Sequence, residues 1–243
     1  MLESANFSQK LPKEGYKARL TACQHRLHAL QQQCIQRAIP VILVFEGWEA
    51  AGQEAVIAGV TGQLESHSYQ RYDIQPPRTY ETHLPWLWRF WLKLPRYGDI
   101  AIFHRSWYTQ IAQDRVAQGS TKSNWRKACR DVVNFERALT HDGYVIGKFF
   151  LHISKKQQKR RFKKLRQDPL QAWRVQDEQW AAHRKYAQHA LAIDEMLKRT
   201  HTDWAPWVVV AAHQRRSAKI AVLDALIARL EAAVAAAEEV PPC

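Results

Sequence analysis

The sequence predicts an α/β fold, a parallel sheet with helices on both faces, and two observations carry that reading. Residues 40–45, 99–103, 144–153 and 207–212 are nearly continuous runs of apolar, β-branched and aromatic side chains, as strands buried on both faces require. Between them lie segments with helical apolar spacing, so strand and helix alternate along the chain, and alternation of this kind builds a parallel sheet through crossover helices.

In residues 13–37, Tyr16, Leu20, Cys23, Leu27, Leu30 and Cys34 recur at intervals of three and four, which lays one apolar stripe along a helix. The strand at 40–45 follows, and glycines end it at once. Residues 54–64 read as a helix, 69–74 as a short strand, and 84–94 as a helix closed by Pro95. After the strand at 99–103, residues 105–116 and 124–141 are helical, 144–153 is a strand and 155–166 a basic helix. Beyond Asp168-Pro169 the chain is polar and helical to about residue 199, the last strand follows at 207–212, and 217–237 is a closing helix before Pro241 and Pro242.

With 243 residues, 46% hydrophobic and 24% charged, the chain has the material for one domain with a full core and lacks the composition of a disordered one. The four cysteines, Cys23, Cys34, Cys129 and Cys243, have neither metal-ligand spacing nor the density of a disulfide scaffold, so reduced thiols are expected. No opening segment has the make-up of a secretory signal and no apolar run is long enough to span a bilayer, so the expectation is a soluble, cytoplasmic protein without a membrane partner. A net charge of +13 points to an anionic partner. The ten tryptophans are read as packing bulk rather than base-stacking platforms. No helix-turn-helix, zinc or RNA-binding aromatic signature is present, which ranks nucleic acid last among the anions.

Gly47-Trp48-Glu49-Ala50-Ala51-Gly52-Gln53-Glu54 lies between the first strand and a helix, with its glycines at the spacing of a phosphate-cradling loop. Glycine lets successive backbone N–H groups turn inward on phosphate oxygens, and the following helix adds its positive end. Gln53 stands where that loop carries lysine. An ordinary strand-to-helix turn would use the same glycines. The motifs Phe45-Glu46-Gly47-Trp48, Trp88-Arg89-Phe90-Trp91, Leu94-Pro95, Ile102-Phe103, Arg105-Ser106-Trp107-Tyr108, Phe135-Glu136-Arg137, Asp168-Pro169 and Ala205-Pro206-Trp207 occur together and in order. This set resembles the polyphosphate kinase 2 family, from about residue 16 to about residue 230.

The resemblance implies a P-loop kinase with a three-layer α/β/α sandwich and a helical lid. It also implies phosphoryl transfer, with magnesium, between inorganic polyphosphate and ADP, AMP or another nucleotide. The expected organisation is one unit: an N-terminal helix at 1–38, a P-loop core at 39–153, a basic helix and lid at 154–200, and a last strand and helix at 201–243. Matched to the family's motif, the loop has Glu49 for aspartate and Gln53 for lysine, and His104 for the aspartate after a sheet strand, while Arg105 is kept. The catalytic candidates are therefore Glu49, Gln53, His104 and Arg105. Phosphate-binding candidates are Gly47, Ala50, Ala51, Gly52, Arg105, Arg115, Arg160 and Arg161, and lid candidates are Asp168 and Asp177. Glu49 is the candidate metal ligand, with Glu46 and Asp114 in reserve.

Bland readings stand beside these: Glu49 and His104 as solvated loop residues, Asp114-Arg115 as a surface ion pair, and the basic run from Lys155 to Arg166 as a solvated helix face. Imidazole at His104 suits magnesium poorly. A neutral amide at 53 removes a fixed cation from the transferred group, a loss of roughly 3 to 5 kcal/mol, or about 10² to 10⁴ in rate. The expectation is an impaired transferase; a second reading is a working enzyme in which Lys148, Arg105 or Arg161 replaces the missing cation, Arg105 first among them. The alternative is a non-catalytic polyphosphate- or nucleotide-binding subunit, as a homo-oligomer or paired with an active homologue.

Overall fold

The computed structural model describes residues 1–8, 11–116 and 121–238. Strands β1 (Val41–Gly47), β2 (Tyr69–Asp73), β3 (Ile100–His104), β4 (Val145–His152) and β5 (Trp207–Ala211) form one sheet in the order β2-β3-β1-β4-β5. Every pairing is parallel. The helices are α1 (Tyr16–Gln36), α2 (Gln53–Thr61), α3 (Trp88–Trp91), α4 (Trp107–Val116), α5 (Lys122–His141), α6 (Lys155–Gln167), α7 (Asp177–Arg184), α8 (Tyr186–Thr200) and α9 (Arg215–Glu238). Helices α1, α2 and α9 pack together over one face of the sheet, and α4, α5 and α8 pack together on the other side. This is the expected α/β sandwich. Its continuous apolar strands follow from burial on both faces: β4 is buried at every position, and β1 at every position before Gly47.

From β1 the chain crosses to β2 and β3 on one side, then passes back over β1 to β4 and β5 on the other. Such a reversal leaves a crevice beyond the carboxyl end of the central strand, where the glycine loop lies. The core that fixes it includes Phe45, Phe103, Trp107, Tyr108 and Phe149, all fully buried. Each such side chain contributes about 2 to 3 kcal/mol through removal from water.

The helix expected at 84–94 shrinks to α3, after a short 3₁₀ segment at Thr79–His83. Leu84 is extended (φ −118°, ψ 159°), the conformation that Pro85 imposes on its predecessor. The helix expected from 105 begins at Trp107 because Arg105 is left-handed (φ 62°). Helix α5 starts at Lys122, where the Thr121 hydroxyl accepts the Asn124 N–H as a cap. The polar region expected to be helical to residue 199 is split into α7 and α8 at Lys185. Cys23, Cys34 and Cys129 are buried free thiols, and Cys243, Pro241 and Pro242 lie outside the described residues. Among the described residues, no helix is long and apolar enough to cross a membrane.

Lys148 cannot substitute for a loop lysine, because it is fully buried within the sheet layer. Its Nζ donates to Glu136 Oε2 (2.7 Å), to Tyr108 Oη (3.0 Å) and to the Thr200 carbonyl (2.8 Å). Burial pulls the lysine down from its ordinary value and Glu136 pushes it back, while burial and then Glu136 hold Tyr108 well above the usual phenol range. Removing one partner leaves a buried charge uncompensated, so Lys148→Met destabilises the fold by about 3 to 5 kcal/mol in urea unfolding. Adding Glu136→Gln restores part of the loss, since the amide oxygen still accepts from Tyr108 and Trp107 without a charge.

Candidate active site at the end of β1

The loop from Gly47 to Gly52 is built from backbone groups sorted by direction. Gly47 has φ 153°, and a Cβ there would stand 2.6 Å from the Leu151 carbonyl oxygen, so only glycine fits. Gly52 turns the chain into α2 at φ 107°, and Ala50 takes a left-handed conformation (φ 63°) at a cost of about 1 kcal/mol. Arg161 of α6 donates through Nη1 to the carbonyls of Ala50 (2.7 Å) and Ala51 (2.7 Å), and through Nη2 to those of Ala212 (2.6 Å) and His213 (3.0 Å). Gln158 Nε2 donates to the Glu49 carbonyl (3.3 Å). In a planar peptide the N–H points opposite the C=O, so the N–H groups of Ala50, Ala51 and Gly52 face away from α6. No side chain caps the first turn of α2, so its opening N–H groups are left without a side-chain acceptor.

Gln53 folds back over this loop. Its Oε1 accepts the Gly52 N–H (3.1 Å) and its Nε2 donates to the Trp48 carbonyl (3.2 Å), while the Ala51 N–H is held by that same carbonyl (2.9 Å). A phosphate oxygen seeking the Gly52 N–H displaces a neutral hydrogen bond worth about 1 kcal/mol. Trp48 stacks on Tyr186 (3.9 Å, 14°) and donates its Nε1 to His152 Nδ1 (2.8 Å), which ties the loop to the start of α8. Burial, and then His213, pull His152 down to about 4, so it is a neutral acceptor there. Beside the loop a cavity of about 170 Å³ remains open, lined in part by Gly47, Glu49, Arg105, Thr109, Ala182 and Met196.

The carboxylates of the crevice fall into three environments. Glu49 and Arg105 meet each other at 2.5 Å, both sufficiently exposed that the pair contributes little to stability. Glu46 is buried one residue before the loop, accepting from Ser106 Oγ (2.7 Å) and Thr109 Oγ1 (2.9 Å). Burial pushes its carboxyl up to about 7, against the opposing pull of those hydroxyls and of Arg105. Asp73 is aligned with His104 by the β2–β3 register, and His104 Nδ1 donates to Asp73 Oδ1 at 2.7 Å. Glu54 Oε1 lies 3.3 Å from the same nitrogen. Arg71, two residues before Asp73 and so on its side of β2, sends Nη2 to both oxygens of Glu54 (2.9 Å each) and to Asp73 (2.7 Å). These bonds hold the Asp73 carboxyl below its ordinary value despite partial burial, which alone would raise it.

A family model described as polyphosphate kinase 2 (PPK2) matches residues 10–238. The chain belongs to the polyphosphate kinase 2 family. It is 34% identical over 233 residues to the polyphosphate:AMP phosphotransferase of Pseudomonas aeruginosa, covering 96% of this chain and 47% of that protein. The crystal structure of a putative polyphosphate kinase 2 from the same organism superposes with a TM-score of 0.91 at 34% identity, over 96% of this chain and 50% of the other. Polyphosphate kinase 2 from Arthrobacter aurescens gives a TM-score of 0.91 at 26% identity, over 96% and 85%. The chain thus spans about half the length of its Pseudomonas relatives.

Set against the polyphosphate kinase 2 motif, the structure groups Gly47, Glu49, Ala50, Ala51, Gly52, Gln53 and Arg105 around one crevice, with His104 beside it at the end of β3. Other expected residues are engaged elsewhere. Arg161 braces the loop from behind, nine-tenths buried, and burial followed by Arg215 and Arg160 draws it down to about 10. Arg115 lies 3.7 Å from Glu195 of α8 and over the Trp125 ring, rather than on its neighbour Asp114. Asp168 caps a turn, accepting from the Leu170 N–H and from Gln171, and Asp177 opens α7 at the surface. Arg160 stays exposed beside Arg161, on the solvent face of α6 with Lys155, Lys156, Lys159, Lys163 and Lys164.

The sequence reading omitted Arg71, Asp73, Glu54, Thr109 and Gln158. The charges at 71 and 73 alternate along a short edge strand, the one signal that could have exposed them. The donors fit magnesium badly. That ion takes hard oxygens in tight octahedral geometry, whereas the side chains at the end of β3 offer an imidazole and two carboxylates already bonded to a guanidinium, and Glu49 is bonded to Arg105.

Glu46 yields a pH dependence of definite sign. The folded protein keeps a proton on Glu46 that the unfolded chain releases above about 4.5, so stability falls as pH rises from there to about 7. The full loss is on the order of 3 kcal/mol. Glu46→Gln keeps an acceptor for Ser106 and Thr109 and removes this slope. Urea unfolding at about pH 8 should find the variant more stable than the parent, with the gap closing at about pH 5. Parallel pH profiles for the two would show that Glu46 titrates normally.

Proposed function

We propose that the chain binds inorganic polyphosphate and a nucleoside mono- or diphosphate at the end of β1, and transfers phosphoryl groups between them slowly. The observation that supports this reading is the loop itself: carbonyls tied back to Arg161 and Gln158, N–H groups facing away from α6, an uncapped start of α2, and no lysine at 53. The relatives' names supply the substrate class, being phosphotransferases of polyphosphate with AMP, ADP or GDP.

An acceptor oxygen of the nucleotide attacks the terminal phosphorus of polyphosphate, the bridging P–O bond breaks, and the chain leaves one unit shorter. The protein's part is positioning and neutralising charge on the transferred group. Backbone N–H groups of the loop orient it, and Arg105, which lines the cavity beside the loop, is the side-chain cation available once drawn from Glu49. The exposed basic face of α6 raises the local concentration of a polyanion. Tyr186 and Gln158 link the loop to α8 and, through His183, to α7, so closure of these helices would be felt at the loop.

The test is transfer from polyphosphate to AMP and to ADP, followed by phosphorus NMR, for the parent and for Gln53→Lys. Restoring a charge-assisted donor should raise turnover by about 10²-fold or more. A parent rate that the lysine does not improve would overturn the impaired reading, and failure of both proteins to bind polyphosphate would overturn the site.

A further inference from the structure

We infer that Arg71 and His104 take the place of the divalent cation in this crevice, so that its grip on phosphate anions does not depend on metal. The inference rests on the proposed function only in placing an anion beside the cluster. Glu54, Asp73 and His104 bring one ligand atom each within 4.8 Å of one another, the kind of grouping that elsewhere encloses an ion. Here a guanidinium already joins the two carboxylates: Arg71 Nη2 contacts Glu54 Oε1, Glu54 Oε2 and Asp73 Oδ1 at 2.7 to 2.9 Å. His104 donates to the same Asp73 oxygen, at 2.7 Å.

The arrangement is imposed by the fold. Arg71 and Asp73 share one face of β2, the register sets Asp73 against His104, and Glu54 follows directly after the position of the missing lysine. The family pattern has an aspartate at the position of His104, and a carboxylate there would add a third anionic oxygen donor. Imidazole donates a proton to the carboxylates instead. A metal ion entering this cluster must displace Arg71 from both partners, leaving the guanidinium without its anions. The two carboxylates are thus already bonded within the chain, by Arg71 and His104, and on this inference the loop meets phosphate without an ion between them.

The experiment titrates Mn²⁺ alone into the protein by calorimetry, without any phosphate, in the parent and in Arg71→Met. The parent should show no site tighter than about millimolar, and Arg71→Met should gain one, with affinity raised at least about tenfold as Glu54 and Asp73 are freed. Tripolyphosphate binding is measured in parallel in EDTA and in Mn²⁺. The parent should bind equally, within about twofold, while Arg71→Met should bind about tenfold more weakly in EDTA and recover in Mn²⁺. A stoichiometric micromolar Mn²⁺ site in the parent, lost in Asp73→Asn, would overturn the inference whether or not Arg71→Met folds. Absence of tripolyphosphate binding under every condition would instead count against the proposed function, with the Mn²⁺ arm still deciding the role of Arg71.

Discussion

The crevice depends on one contact, the Arg161 guanidinium set against backbone carbonyls of the loop and of the segment after β5. A loop that presents N–H groups to an anion must send its carbonyls somewhere, and without partners those oxygens would be buried at a cost of about 1 to 3 kcal/mol each. Arg161 gathers two of them, and by also holding the Ala212 and His213 carbonyls it locks the loop to the sheet's far edge. Its positive charge then sits behind the loop, reinforcing the field of the N–H groups while not touching what they bind. An arginine read as a ligand is thus a positioning group.

In front of the loop the chemistry is one of internal pairing. Arg105 meets Glu49, Arg71 meets Glu54 and Asp73, and the Gln53 amide meets both ends of its own loop. Each bond is weak by itself, because the groups are half exposed and screened by water and salt. Together they give a resting crevice whose charged groups are largely paired with one another. Were the proposed polyanion to enter, it would compete with these partners by bringing several charges at once where each resident contact offers one.

The sheet was legible in the sequence because burial on both faces writes continuous apolar runs at 40–45, 99–103 and 144–153. The loop was legible because glycine is required where Gly47 meets Leu151 and where Gly52 turns at positive φ. Helix 84–94 was overread because its apolar spacing was counted without the restriction that Pro85 places on Leu84. The destinations of Arg161, Arg115 and Lys148 were not legible. A cation's sequence position says which element carries it but not which carbonyl or carboxylate faces it across a gap of tens to more than a hundred residues. Arg71 was missed for the same reason: its partners come from the start of α2 and from its own strand, and only the folded register assembles them.

The departures that the resemblance implies at 53 and 104 gain meaning when their charges are compared. Lysine to glutamine removes one positive charge from the loop, and aspartate to histidine removes one negative charge beside it. Either change alone would leave the crevice unbalanced: a carboxylate without its neighbouring lysine would repel the phosphates that the loop is shaped to hold. Made together, on the proposed function, they would keep a site that an anion can enter while leaving no fixed cation at 53 to follow a moving phosphoryl group. Binding depends on the summed field over the crevice, whereas transfer depends on a charge placed at one point. On the proposed reading, this difference would let binding outlast transfer.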